Sequence, residues 1–356
     1  MNTARARSAR RAEDAKRHSG GGESTLTVVV ALMVNATIAV MKAVAGILTG
    51  SAAMLAEAAH SVADTTTEGL LLAALRHSER PADRRHPFGY GKVRFFWSLI
   101  AAVSIFVTGA LFSGFEGVHT ILGSSEDQSL AWVAFLVLGL SFLMEGTSWT
   151  RAVRQIRREQ AYEGQRLLEY LRRTDDPTVK TVFLEDTAAL IGLLLAFAGV
   201  GLHLLTGSAL WDGLASLLIG VLLATVAYLL GRTNMQLLIG QQADRRLVRA
   251  VYVRLSAAPE VEQVVDLLTM LTGTDKVLLC ARVDFTDPLS ADEVERACVR
   301  IDDELRREFA DLDEIFIEPV PRTDTALRER VINRYGSVLR DLRADPAPPV
   351  PPKAAI

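Results

Sequence analysis

Residues 51–76 read SAAMLAEAAHSVADTTTEGLLLAALR. The stretch is long enough, as a helix rising about 1.5 Å per residue, to cross a hydrocarbon core of about 30 Å. Inside it His60 and Asp64 stand at i and i+4, so they leave the same face of a helix with Cβ atoms about 5–6 Å apart. In water such a pair is ordinary. Within a bilayer an ionisable side chain costs about 2.5–3.5 kcal/mol on insertion scales, which makes it a functional residue by default. An imidazole beside a carboxylate is also half a site for a borderline divalent metal such as zinc.

Working outward, apolar stretches of spanning length fall at about 26–49, 51–76, 93–118, 130–150, 179–204 and 210–233. Gly50-Ser51 leaves almost no loop between the first two, so a tight helical hairpin is expected there. The connections alternate in charge. Arg5, Arg7, Arg10, Arg11, Lys16 and Arg17 precede the first span; Arg80, Arg84, Arg85, Lys92 and Arg94 surround the second-to-third connection; Arg151 through Lys180 fill the fourth-to-fifth. The segments His119–Leu130 and His203–Trp211 contain no Lys or Arg. The positive-inside rule then places both termini in the cytoplasm. Lys42, Glu68 and Glu145 also fall within spans, where they snorkel, pair or act.

The chain of 356 residues is 49% hydrophobic with a net charge of −3, an average over two unlike halves. Residues 25–238 are expected to form a six-helix transmembrane domain and residues 239–322 a cytosolic domain. Basic residues gather at membrane edges rather than along one soluble face, which excludes a nucleic-acid interface. Cys280 and Cys298 are the only cysteines. They allow no disulfide framework or cysteine zinc motif and read as thiols in a reducing compartment. Residues 1–24 read as a disordered basic cytosolic arm. The excess of arginine over lysine and the abundant alanine point to a GC-rich genome, and so to the inner (plasma) membrane of a bacterium.

In the polar half, Arg245–Ala257 reads as a helix and Val261–Leu271 and Lys276–Phe285 as strands. Ser290–Phe309 reads as a capped amphipathic helix with Val294, Ala297, Cys298, Ile301 and Leu305 along one face, and Glu314–Val320 as a strand. The order αββαβ implies a small two-layer α+β, ferredoxin-like domain. Residues 323–356 are expected to be a helical extension over 325–343 and a disordered tail whose five prolines prevent packing.

These features resemble the cation diffusion facilitator family: six spans, the second-span pattern His60-Ser61-Val62-Ala63-Asp64, the segment Pro81-Ala82-Asp83-Arg84-Arg85-His86-Pro87-Phe88-Gly89-Tyr90-Gly91-Lys92, and a terminal αββαβ domain. The resemblance covers about residues 25–322. The run Asp176-Pro177-Thr178 through Leu184-Glu185-Asp186-Thr187-Ala188-Ala189 is most similar to the zinc transporter 9 branch. It implies a dimeric exporter that exchanges Zn²⁺ or a related cation for protons, paired through its C-terminal domain. It also implies a tetrahedral metal site made of two residues, four apart, on each of the second and fifth spans. His60 and Asp64 match the first pair and Asp186 the last ligand, but Val182 stands where relatives carry His or Asp. Glu185 is the candidate for the fourth place. It sits about 100° around the helix from Asp186 and reaches only through a helix distortion or a flexible side chain.

The alternative for His60, Asp64 and Asp186 is a polar cluster gluing helices together, typically for about 1 kcal/mol or less. Glu68 and Glu145 are either a proton path or partners of Lys42 and neighbouring helices. Asp212 reads as a helix cap or packing feature near the outer interface. Asp83 and His86 match two ligands of a second site found in some relatives, but the third position is Tyr90, which favours a structural loop. The C-terminal domain contains no histidine, leaving Asp284 and Glu318 as weak candidates. One histidine in the main site makes it oxygen-rich, so Mn²⁺ and Fe²⁺ stand beside Zn²⁺ as cargo. A regulatory or scaffold protein that has lost transport is the other reading, which Val182 permits. No HExxH-type signature supports an intramembrane hydrolase, so an enzyme is not expected.

Overall fold

Gly50 turns the chain at φ +66°, a left-handed conformation that favours glycine, between two long helices. They are α1 (Thr25–Thr49) and α2 (Ala52–Ser78). The computed structural model describes residues 25–123, 130–163, 177–321 and 324–335. The expected basic arm, the Pro-rich tail, and Arg166, Arg172 and Arg173 lie outside the described residues. Ser51 caps α2, its hydroxyl accepting the Met54 amide at 3.2 Å. A Cβ on Gly46 would lie 2.8 Å from Leu55, so a small residue is needed where the arms of the hairpin meet.

Four further helices follow: α3 (Val93–Leu122), α4 (Ala131–Glu163), α5 (Pro177–Thr206) and α6 (Leu210–Ile239). Among the described residues, four segments are long and apolar enough to cross a membrane: Val93–Leu122, Ala131–Arg154, Thr181–Thr206 and Leu210–Ile239. Helix α2 carries Glu57, Asp64 and Glu68 within about three turns, which dilutes its hydropathy. It is nevertheless packed into the same bundle, with Ala52, Ala53, Met54, Ala56, Ala63 and Ala74 buried. Leu122, Leu143, Leu205, Val221 and Tyr228 point outward from the bundle, as lipid-facing side chains do.

Helices α3 and α6 meet along small residues. The Ser216 hydroxyl donates to the Ser113 carbonyl at 2.8 Å, and a Cβ on Gly117 would lie 2.7 Å from the Gly213 carbonyl oxygen. Close backbone approach of this kind is how helices pack where no water drives them together. The middle of α3 widens into a π-helical segment, Ile105–Leu111, which contains Gly109, whose missing side chain admits Leu223.

The C-terminal unit runs α7 (Arg245–Ser256), β1 (Val261–Gly273), β2 (Lys276–Phe285), α8 (Ala291–Glu308), β3 (Leu312–Pro319) and α9 (Thr325–Tyr335). This is the αββαβ order followed by a helix. The sheet order is β1-β2-β3, with β1 and β2 antiparallel and β2 and β3 parallel across the α8 crossover. Ser290 and Glu293 form a capping box at the start of α8. Val251 and Leu255 from α7 and Ile301 and Leu305 from α8 cover one sheet face, against Leu271, Leu279 and Val283.

Several boundaries differ from the sequence reading. Helix α6 continues to Ile239 rather than 233, and α4 continues beyond 150, where Val153 and Ile156 remain buried. Strand β1 runs two residues further than expected, to Gly273, because its turn lies at Thr274-Asp275; β3 begins two residues earlier, at Leu312. The long α6 has a physical reason. Its Leu237 joins Phe95 in the core of the C-terminal unit, and a Cβ on Gly91 would lie 2.5 Å from the Thr272 carbonyl oxygen. The helix ends and the sheet domain are therefore one packed junction.

Candidate metal site

Alanines at 53, 56, 63 and 74 give α2 high helix propensity and a slim face, and neighbouring helices close over it. His60 is turned into that face and is 1% exposed. Its Nδ1 lies 3.4 Å from Asp64 Oδ1, beyond the range of a good N–H···O hydrogen bond. Neither ring nitrogen of His60 has a hydrogen-bond partner, and neither does Asp64 Oδ1. Buried polar atoms are normally paired, so this concentration of orphans marks α2 at the level of the pair. A neutral imidazole and a carboxylate are suitable donors for a borderline divalent cation.

From α5, Glu185 is buried and its Oε1 has no hydrogen-bond partner. Its charge acts on Asp64. One turn earlier Thr181 is 1% exposed with an unpartnered hydroxyl, and on α2 the buried Thr67 hydroxyl lies beside the Glu185 carboxylate. Asp186 takes another direction: it accepts a hydrogen bond from the Ser148 hydroxyl of α4 at 3.1 Å. Beside it Trp149 Nε1 donates to the Thr187 hydroxyl at 3.1 Å. Glu145 is close enough for its charge to act on Asp64 and Asp186.

In the sequence reading Glu185 has a helix distortion or a flexible side chain as its ways to reach the pair, and α5 shows no break. Helix α5 is continuous from Pro177 to Thr206, and its buried stripe passes through Thr181, Glu185, Ala188, Ala189 and Leu193. Val182 and Asp186 lie at the edge of that stripe and are only half-buried. A signal was present in the sequence: Ala188, Ala189, Gly192 and Ala196 follow Glu185 at helical spacing, and small residues mark the packed face. The four residues are nonetheless not drawn together. Among the described residues, no three His, Cys, Asp or Glu side chains form a group that could hold a metal ion. His60 and Asp64 form one pair, Glu185 is near enough for its charge to act on Asp64, and Asp186 is bonded to Ser148 of α4.

Lys42 departs from the expectation as well. Its partner is neither Glu68 nor Glu145 but Glu57, one turn before His60. Lys42 Nζ lies 3.0 Å from Glu57 Oε2 and donates to the Ser61 hydroxyl at 2.8 Å, with both charged side chains fully buried. Gly192 of α5 leaves the space that the Glu57 carboxylate fills. Sequence reasoning missed Glu57, although its i, i+3, i+7 spacing with His60 and Asp64 put all three on one face. Glu68 accepts from Asn35 Nδ2 of α1 at 2.5 Å. At the start of α2, Asp212 of α6 accepts from the Ser51 hydroxyl at 2.7 Å and the Ala52 amide at 2.5 Å. It is therefore a cap, supplied to α2 by a different helix.

The second candidate pair lies in the exposed loop between α2 and α3. Asp83 Oδ1 accepts the amides of Arg85 and His86 at 2.8 and 2.7 Å, and Oδ2 accepts the Tyr90 hydroxyl at 2.8 Å. His86 Nδ1 sits 3.3 Å from Asp83 Oδ1, with the imidazole against the Tyr90 ring at 4.3 Å between centroids. The Tyr90 hydroxyl, then the two amides, hold the Asp83 carboxyl below the usual aspartate range, while Asp83 pushes the Tyr90 phenol up. Both oxygens are thus occupied by the loop itself. In the sheet, Glu318 accepts from Arg282 Nε at 2.7 Å, and Arg282 also reaches Asp266 at 3.0 Å, a ladder across the three strands.

Residues 28–239 match the cation efflux transmembrane domain. The chain is 36% identical over 258 residues to the human "Proton-coupled zinc antiporter SLC30A9, mitochondrial", covering 72% of this chain and 45% of that protein. It is 36% identical over 232 residues to "Metal tolerance protein C4" of Arabidopsis thaliana, covering 65% of this chain and 50% of that one. Against "Metal cation efflux system protein CzcD" of Cupriavidus metallidurans it is 25% identical over 266 residues, covering 75% and 77% respectively. The chain spans about half the length of the first two relatives.

Proposed function

Because the chain belongs to the cation efflux family, on its zinc transporter 9-like branch, we propose that it is a membrane carrier exporting a divalent metal cation from the cytoplasm in exchange for protons. Zn²⁺ is the proposed cargo, supported by the name of the human relative; the single histidine leaves the carboxylate-rich site suited to Mn²⁺ or Fe²⁺ too. The observation that carries the reading is the His60/Asp64 pair. His60 is buried between apolar helices with Asp64 17% exposed beside it, its nitrogens and Asp64 Oδ1 have no hydrogen-bond partners, and Glu185 of α5 is near enough for its charge to act on Asp64.

The chemistry follows from the ligands. A metal binds the neutral imidazole and the ionised carboxylates, so its arrival releases protons and its affinity falls with acidity. The cation enters from the cytoplasm, where Glu68, Glu145 and Asp186 gather negative charge, and binds His60 and Asp64 with Glu185 or Asp186. Rearrangement of α2 against α5 completes the ligand set and opens it to the far side. Protonation there expels the ion, and the protonated site returns. Glu68 and Glu145 extend the carboxylate series as a proton path.

Both termini are proposed to be cytoplasmic, with α1 and α2 completing six spans. The C-terminal domain is proposed to pair two copies of the chain. A bacterial inner membrane is the proposed location; the human relative's name carries the word mitochondrial, and CzcD is a bacterial protein.

Zinc-driven proton flux in proteoliposomes tests the reading. His60→Ala and Asp64→Ala abolish the flux while leaving a folded protein. Unchanged flux in both would refute the site, and no flux in the unaltered protein would support a non-transporting member of the family.

A further inference from the structure

A buried ion pair is a poor way to gain stability. The desolvation of two charges offsets most of their attraction, and well-packed apolar residues of the same size often do as well. Lys42 and Glu57 are nevertheless fully buried, in contact, and placed around the turn that carries His60. Glu57 precedes His60 by three residues. The second hydrogen bond of the Lys42 ammonium goes to Ser61, the residue after His60. The charge of Lys42 acts on both His60 and Asp64. Gly192 leaves room for the Glu57 carboxylate, one oxygen of which meets Lys42 while Oε1 has no hydrogen-bond partner.

We propose that Lys42 sets the affinity of the cation site: a fixed positive charge beside His60 and Asp64, partly shielded by Glu57, weakens the hold on a divalent cation so that the ion can leave. The inference rests on the cation-site reading above. Repulsion between like charges is strong in a low-dielectric interior and grows with the charge of the ion, so a dication feels this ammonium fully. Glu57 limits the repulsion. Without it the ammonium would close the site; without Lys42 the site would bind well and release slowly. Lys42 is thus a positioning and affinity-determining residue rather than a ligand.

The two partners therefore have opposite signatures. A purely structural ion pair loses stability and binding in the same direction whichever partner is removed. The test is isothermal titration of the full-length purified protein with Zn²⁺, alongside zinc flux in proteoliposomes. Lys42→Met is expected to bind at least about tenfold more tightly with a lower maximal flux, and Glu57→Gln at least about tenfold more weakly. The double variant is expected to return to within about threefold of the unaltered protein. Should Glu57→Gln fail to fold, Lys42→Met and the double variant, which leaves no orphaned charge, decide the matter. An unchanged or weakened affinity in Lys42→Met overturns the inference while leaving the cation site standing. An unaltered protein that binds no Zn²⁺, or His60→Ala binding as tightly as the unaltered protein, overturns the cation site and this inference with it.

Discussion

Among the described residues, two histidine–aspartate pairs have almost the same length, 3.4 Å for His60 with Asp64 and 3.3 Å for His86 with Asp83. Chemically they are alike; in setting they are opposites. The second pair is about half exposed, and its carboxylate oxygens are taken by two amides and a phenol. The first is buried in the bundle, with His60 Nδ1, His60 Nε2 and Asp64 Oδ1 lacking hydrogen-bond partners. Spacing alone does not distinguish a ligand pair from a turn. What distinguishes them is whether the polar atoms already have partners, because a ligand must have lone pairs left to give.

The largest effect expected from this contrast lies in binding. Replacing His60 and Asp64 together with alanine should eliminate Zn²⁺ binding by isothermal titration, whereas the double alanine variant at Asp83 and His86 should leave it near that of the unaltered protein. The reverse pattern would break the comparison. Next come the α5 carboxylates. Glu185 lies on the buried stripe and Asp186 on its edge, bonded to Ser148. Glu185→Gln should therefore weaken binding by about tenfold, equivalent to about 1.4 kcal/mol, and Asp186→Asn by less. Equal losses would mean that α5 turns to present both.

A stability measurement sharpens the same contrast from its saturated side. Asp212 has found its partners, the hydroxyl of Ser51 and the amide of Ala52, and holds the first turn of α2. Asp212→Ala should cost about 1–2 kcal/mol in a denaturation series, the loss of a helix cap, with Zn²⁺ affinity little changed. The smallest effect concerns the exposed loop. The Asp83 carboxyl is held below its ordinary range, chiefly by the Tyr90 hydroxyl. A depressed carboxylate contributes stability above its unfolded pKa, near 3.9, and loses it as the pH falls through the lower folded value. The loop should loosen only in acid below that range. In Tyr90→Phe the Asp83 titration, followed by carboxyl NMR, should move up toward the ordinary value. An unmoved titration would show that the backbone amides alone hold it.

Much of this was legible in the chain. The six long helices, the tight turn at Gly50-Ser51 and the αββαβ order follow from apolar runs, caps and strand-length alternation, each a local property. The parts that escaped depend on two elements at once. Val182 and Asp186 share one line along α5, while the buried line runs through Thr181 and Glu185; only packing against α2 decides between lines about 100° apart. Glu57 was passed over because its partner, Lys42, lies on another helix. The extension of α6 to Ile239 likewise depends on Phe95 of α3 and on the sheet domain beneath it. Side chains that cross between helices leave only faint marks in a sequence, here the small residue at Gly192 that makes room for Glu57.

On the proposed function the buried pair, not the exposed one, receives the cation. A zinc-edge anomalous difference map of the protein crystallised with Zn²⁺ tests it most directly. A peak is expected within bonding distance, about 2.0–2.2 Å, of a His60 ring nitrogen and an Asp64 oxygen, with Glu185 or Asp186 moved in to join them. A peak at Asp83 and His86, with none between α2 and α5, would contradict it.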